Sequence, residues 1–198
     1  MNKIIGISGK AGVGKDTVAD YILRQHKDCK KEAFADPVKR IAVEIFGFTK
    51  EQVYNQKLKE IVDDYWGVTP RKFLQLVGTD MFREVFRKDV WVVLFNKKFI
   101  SSPHKITLVS DIRFQEEIDY IKSQNGIIIN ILRNHKSILS EESRQHKSEK
   151  SLFNENVLQH FNNYRTPYSI EKGVYHINNF YSRNELFENI NIILENYL

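Results

Sequence analysis

The chain has 198 residues, 30 Lys and Arg against 25 Asp and Glu, a net charge of +5 and a single cysteine. At roughly 100–200 residues per domain, the length predicts one domain over residues 1–198. With 41% hydrophobic and 28% charged residues, a wholly disordered chain is excluded. Cys29 has no second cysteine to pair with, which fits a reducing compartment. The opening apolar run meets glycines and charge too soon for a signal peptide or a membrane span, so the expectation is a soluble cytoplasmic protein. The mild basic excess fits nucleic acid or a phosphate-bearing small molecule.

Apolar runs and helix-period segments alternate along the whole length, the pattern of an α/β domain. Lys3–Ser8 is an apolar run ending in a glycine-rich turn and reads as a buried strand. From Asp16 onward, Val18, Ala19, Ile22 and Leu23 fall on one helical face. Residues 32–35 lead to Asp36-Pro37, read as an N-cap and an N1 proline that open a helix toward Phe46. Thr69-Pro70 repeats that signal before a longer helix with the stripe Phe73, Leu74, Val77, Met81, Val85 and Phe86. Ile106–Val109 is the next strand and ends at Ser110-Asp111. Residues 114–124 read as a helix, 126–132 as a strand and 174–177 as a short last strand. Ser182-x-x-Glu185 is a capping box opening a final helix with Leu186, Ile190, Ile193, Leu194 and Tyr197 on one face. Residues 133–150 are polar, mix both signs of charge and lack apolar periodicity, which in a compact domain points to a functional lid.

The chemistry begins at Gly9-Lys10-Ala11-Gly12-Val13-Gly14-Lys15-Asp16-Thr17, between the first strand and the first helix. Glycines at 9, 12 and 14 let the backbone curl with its N–H groups inward, where a side chain would block a phosphate. The following helix aims its positive end at the same point, and Lys15 adds a mobile charge for the β- and γ-phosphates. The spacing is that of the P-loop, except that Asp16 stands where Ser or Thr is usual and the hydroxyl comes next, at Thr17. Thr17 is the expected Mg²⁺ ligand, with a metal held largely through water as the other reading. Asp111, closing the strand Ile-Thr-Leu-Val-Ser-Asp, fits the acidic residue that orients such a metal or its waters, with a helix cap as the other reading. Arg113, beside the same strand end, is placed to meet a phosphate. Asn96-Lys97-Lys98-Phe99 lacks the aspartate of a guanine-reading motif, and no histidine shares metal-ligand spacing with Cys29. A GTP switch and a structural zinc are therefore not expected.

Several segments in order resemble the bacteriophage-type deoxynucleoside monophosphate kinases, a branch of the P-loop nucleotide kinases. They are Gly14-Lys15-Asp16-Thr17, Phe34-Ala35-Asp36-Pro37-Val38-Lys39, Thr69-Pro70-Arg71, Leu74-Gln75-Leu76-Val77-Gly78-Thr79-Asp80 and Val90-Trp91-Val92. Ser110-Asp111-Ile112-Arg113-Phe114, Leu132-Arg133, His146-Lys147-Ser148-Glu149 and Ile177-Asn178-Asn179 complete the set. The resemblance implies a three-layer α/β sandwich of the P-loop NTPase type, its parallel sheet flanked by helices, with a small lid at about 133–150. It implies transfer of the γ-phosphoryl of ATP to a deoxynucleoside 5′-monophosphate, assisted by Mg²⁺, in the host cytoplasm if the source is viral. ATP would lie on residues 9–17, touching Gly9, Ala11, Gly12, Val13, Gly14, Lys15, Asp16 and Thr17, with Asn179 by the adenine. The acceptor region would span about 34–95. There, and at the end of the Asp111 strand, Arg71 and Arg113 would hold the acceptor phosphate, with Asp36, Lys39, Gln75, Asp80, Trp91 and Asp111 around the acceptor. Lys15, Arg113, Arg133 and the lid arginine Arg144 would serve the transferring phosphoryl. The family's Asn-Asp-Gly turn is Asn179-Phe180-Tyr181 here, and the segment between residues 47 and 69 is short, a place where acceptor-base specificity can reside.

The residues leave two other readings open. One is another P-loop small-molecule kinase, of the phosphomevalonate or dephospho-coenzyme A type. The other is a nucleic-acid-dependent ATPase, which the scattered basic residues and the lack of aromatic–basic interleaving disfavour. Neither a membrane partner nor direct nucleic-acid binding is expected, and a homodimer is compatible with the sequence.

Overall fold

Ile4, Ile5 and Ile7 of strand β1 (Lys3–Ser8) are wholly buried, and a strand apolar on both faces needs cover on both. The computed structural model, which describes residues 2–133, 145–147, 152–153 and 164–198, provides that cover. β1 lies inside a six-stranded sheet with β2 (Cys29–Glu32), β3 (Ile106–Val109), β4 (Ile127–Leu132), β5 (Tyr168–Glu171) and β6 (Val174–Asn178). The order is β2-β3-β1-β4-β6-β5. Five strands run parallel, as expected, while β5 runs antiparallel to its neighbour β6. The reversal follows from the short connection between them, where Gly173 takes a φ of +77°.

The sheet divides two cores. Ile5, Ile7, Ile127, Ile129 and Ile131 pack under helices α1 (Lys15–Gln25) and α7 (Arg183–Tyr197). Ile4, Val109 and Ile128 pack on the other side, under α2 (Asp36–Glu44), α5 (Val90–Ile100) and α6 (Gln115–Ser123). Two short helices, α3 (Lys50–Tyr54) and α4 (Pro70–Gln75), extend this second core through Val53 and Phe73. The result is the expected three-layer α/β sandwich. The chain leaves β1 toward β2 at one edge and returns from β3 across β1 to β4, so the crevice at the carboxyl ends of β1 and β3 is a topological switch point.

Two local expectations need correction, and three elements were not expected. Asp36 does not cap α2; the helix begins at Asp36 with Ala35 before it, and the Asp36 carboxylate accepts the Ala33 N–H at 3.2 Å. Strand β2 was not expected, because its sequence Cys-Lys-Lys-Glu carries no apolar alternation and it needs none at a sheet edge. Helix α5 and strand β5 were not read from the sequence either. Finally, the stripe from Phe73 holds only as far as Val77. Residues Leu76–Phe86 wind as a π-helix, closing with the Arg87 N–H on the Phe82 carbonyl five residues back. This wider winding breaks the 3.6-residue phase, leaving Met81, Val85 and Phe86 exposed and turning Gly78, Thr79 and Arg83 inward.

The capping box at Ser182 and Glu185 forms as read, with Ser182 Oγ accepting the Glu185 N–H at 3.2 Å. Among the described residues no helix is long and apolar enough to cross a membrane.

Candidate active site

The turn after β1 has Gly9, Gly12 and Gly14 at φ values of +140°, +83° and +108°, the left-handed region in which a side chain is strained. At Gly9 a Cβ would also lie 2.6 Å from the Ile131 carbonyl oxygen, so the loop is pressed onto β4 with no room for one. Gly14 ends the loop and starts α1 at Lys15. Lys15 Nζ donates to the carbonyls of Gly9 at 2.7 Å and Lys10 at 2.8 Å, across the mouth of the loop. Asn179, just past β6, donates from Nδ2 to the Val13 carbonyl at 2.8 Å and from its backbone N–H to the Leu132 carbonyl at 2.7 Å.

A cleft of about 650 Å³ opens from this loop. Ala11, Gly12, Gly14, Lys15, Asp16 and Thr17 of the loop and α1 line it. So do Asp36, Lys39, Asp111 and Arg113, and Arg71, Gln75 and Trp91. Val13 is buried in the core beneath the loop. Besides Val13, four residues expected at the site do not line the cleft: Gly9, which the Lys15 ammonium caps, and Asp80, Asn179 and Arg133. Asp80 turns toward His146, whose Nε2 is 3.4 Å from its Oδ1; Asn179 braces the loop; and Arg133 is exposed beyond β4. Arg144 and most of residues 133–150 fall outside the described residues.

The electrostatics are set by pairs. Burial pushes the Asp16 carboxyl up, but a hydrogen bond from Lys31 at 2.9 Å, with the charges of Lys31, Lys15 and Lys39, outweighs it and leaves Asp16 below its ordinary value. Asp111 accepts the Phe34 N–H on Oδ1 at 3.1 Å and the Ala35 N–H on Oδ2 at 2.8 Å, so it pins the turn that enters α2. Burial raises the Asp36 carboxyl, and the negative charge of Asp111 adds to that rise against the pull of Lys39. Asp36, Asp111 and Thr17 all line the cleft, and the first two are close enough for their charges to repel. Among the described residues no group of three or more His, Cys, Asp or Glu side chains could hold a metal ion by itself.

Four residues were not found from the sequence. Arg83, on the π-helix, and Glu117, on α6, form an ion pair at the back of the cleft. Gln56 Oε1 accepts from Arg71 Nη2 at 3.0 Å, and Glu60 accepts from Arg71 Nε. No motif links any of these pairs. Trp91 is only 3% exposed, and its indole N–H donates to the Gly78 carbonyl at 2.8 Å, so it is at once a core aromatic and part of the wall.

A glycine-rich loop of P-loop spacing at the switch point of a mostly parallel sheet, sharing one cleft with Arg71 and Arg113, defines an α/β protein of the P-loop class. The deoxynucleotide monophosphate kinase family matches residues 43–163, and the chain belongs to that family. The match begins after the glycine-rich loop, which therefore supports the reading independently. A protein of Acanthamoeba polyphaga mimivirus described as a deoxynucleotide monophosphate kinase is 38% identical over 143 residues, covering 66% of this chain and 74% of the relative. The deoxynucleoside-5′-monophosphate kinase of Escherichia phage T5 is 23% identical over 186 residues, covering 64% and 74%. The crystal structure of TT1252 from Thermus thermophilus shares the fold, with a TM-score of 0.54 and 18% identity over 100% of this chain and 98% of that one. The protein is a nucleotide kinase, a phosphotransferase.

Proposed function

We propose that the chain transfers the γ-phosphoryl group of ATP to a deoxynucleoside 5′-monophosphate, giving the diphosphate and ADP, and that it acts in the cytoplasm. One observation carries this reading: a single cleft gathers the loop lysine Lys15 and, from two other elements, Arg71 and Arg113. Two anionic substrates repel, and phosphoryl transfer asks for charge neutralisation and in-line positioning rather than covalent chemistry.

The loop N–H groups and Lys15 hold the β- and γ-phosphates of ATP, with Asn179 acting through the loop it braces. Arg71 and Arg113 hold the acceptor phosphate, while Lys39, Gln75 and Trp91 border its sugar and base. Arg133 and Arg144 close over the transferring group and exclude water, which would otherwise make the enzyme an ATPase. Thr17 and Asp111 are the residues that would hold Mg²⁺, which when bound would neutralise phosphate charge. Asp111 and Asp16 orient rather than abstract protons, since both are engaged by N–H or ammonium donors.

A coupled ADP-release assay with ATP and magnesium across deoxynucleoside and nucleoside monophosphates tests the reading. ADP release that depends on a deoxynucleoside monophosphate is the expected result. Phosphorylation of phosphomevalonate or dephospho-coenzyme A but of no nucleotide overturns it, as does turnover stimulated by single-stranded DNA and indifferent to monophosphates.

A further inference from the structure

Arg71 stands in the first turn of α4 and is 6% exposed. A guanidinium so deeply placed needs a counter-charge and acceptors, because taking the ion out of water costs several kcal/mol. Both come from one turn earlier in the chain. Glu60, at the end of the 3₁₀ turn Leu58–Glu60, accepts from Nε, and Gln56 Oε1 accepts from Nη2 at 3.0 Å. The turn is itself fixed: Asn55 Oδ1 accepts the N–H groups of Lys57 at 2.9 Å and Leu58 at 3.2 Å. Its backbone closes with Lys59 N–H on the Asn55 carbonyl and Glu60 N–H on that of Lys57, each at 3.1 Å.

Nε and Nη2 form one edge of the planar guanidinium, so fixing them fixes the plane and direction of the whole fork. Arginine binds phosphate best as such a fixed, planar fork. Gln56 and Lys59, from the same turn, also line the cleft. Glu60 approaches Arg71 without lining it.

We propose that Glu60 and Gln56 are positioning residues that aim Arg71 at the acceptor's phosphate, so that the turn at 55–60 sets affinity for the acceptor and not for ATP. This rests on the acceptor role of Arg71 given above.

The test is steady-state kinetics on the full chain with ATP and its best deoxynucleoside monophosphate. Glu60→Gln keeps the shape and removes the charge; it raises the acceptor KM by about tenfold and shifts the ATP KM by less than about twofold. Because Glu60 acts through Arg71, adding Glu60→Gln to Arg71→Gln leaves the acceptor KM of Arg71→Gln unchanged within about twofold. A purely structural role would not give this non-additivity. Gln56→Leu, which leaves the ion pair intact, raises the acceptor KM by about threefold and serves if Glu60→Gln does not fold. The proposal is overturned if the acceptor and ATP KM rise together, if the two substitutions multiply, or if neither single variant moves the acceptor KM. A wild-type protein that releases no ADP with any deoxynucleoside monophosphate overturns instead the reading on which the proposal rests.

Discussion

Arg83 and Glu117 face each other across the back of the cleft, 5% and 2% exposed, and join the π-helix to the segment that follows β3. Glu117 gives one oxygen to Arg83 and the other to the backbone N–H groups of Arg113 at 2.7 Å and Phe114 at 3.2 Å. Arg83 in turn donates to the Lys88 carbonyl at 2.9 Å and lies 3.9 Å from the centre of the Phe114 ring. Arg113 thus owes its backbone position to a carboxylate four residues on, which is itself held by an arginine on another element.

Breaking this pair from one side leaves a buried charge without its partner. Arg83→Met is expected to destabilise the fold by about 3–5 kcal/mol in denaturant unfolding. Replacing both residues by methionine recovers only part of that, because the Arg113 and Phe114 N–H groups lose their acceptor, at about 1–3 kcal/mol for each orphaned donor. Full recovery in the double variant would show that the backbone bonds contribute little.

Stability against pH carries two opposing slopes. Burial pushes the Glu117 carboxyl from its ordinary 4.5 up to about 7, against the pull of Arg83 and two backbone N–H groups. The folded chain then binds that proton more tightly than the unfolded chain, so this contribution is full below pH 4.5 and is lost as pH rises through about 7. His176 is the reverse: burial takes its imidazole from 6.5 down to about 4, so its contribution is present above pH 6.5 and lost as pH falls through about 4. The two offset one another between. Glu117→Gln should therefore leave stability rising with pH from about 4 to 6.5, and His176→Asn should leave it falling from about 4.5 to 7, as read by unfolding curves at each pH. Identical profiles in both variants would refute the assignment.

Lys15 is the cation at the mouth of the phosphate loop. Lys15→Ala is expected to lower turnover by on the order of 10²–10³, the loss seen when one group stabilising transition-state charge is removed. Near-normal ADP release would discard the loop's role.

Arg113 lines the same cleft as Lys15 and Arg71. Arg113→Ala should lower kcat/KM for the acceptor by about 10–100-fold, one charge-assisted contact, while ATP binding measured by calorimetry persists. If ATP binding disappears instead, the division of the cleft between donor and acceptor is wrong.

What the sequence made readable was local or periodic. The loop at residues 9–17 announces itself through three glycines and a lysine between a strand and a helix, and Asp111 and Arg113 through the end of an apolar run. What it concealed depends on winding or on distance. Arg83 sits among residues whose 3.6-residue period put Met81 and Val85 inside, and only the π-helix turns it inward. Gln56 and Glu60 come from a segment without apolar period, so nothing marked them as partners of Arg71. Asp80 shows the same limit from the other side: its neighbours in sequence line the cleft, but it faces His146.

The brace from Asn179 to Val13 spans 166 positions. β1 pairs only with β3 and β4, and Asn179 reaches the loop only once β6 has paired with β4. The phosphate loop is therefore encoded early and finished late. On the ribosome its glycines emerge long before the strand that gives them their shape, so an unfinished chain carries the motif without the site. Nucleotide binding would then report that the sheet is complete as far as β6, and ATP added during refolding should favour the finished sheet over every earlier intermediate.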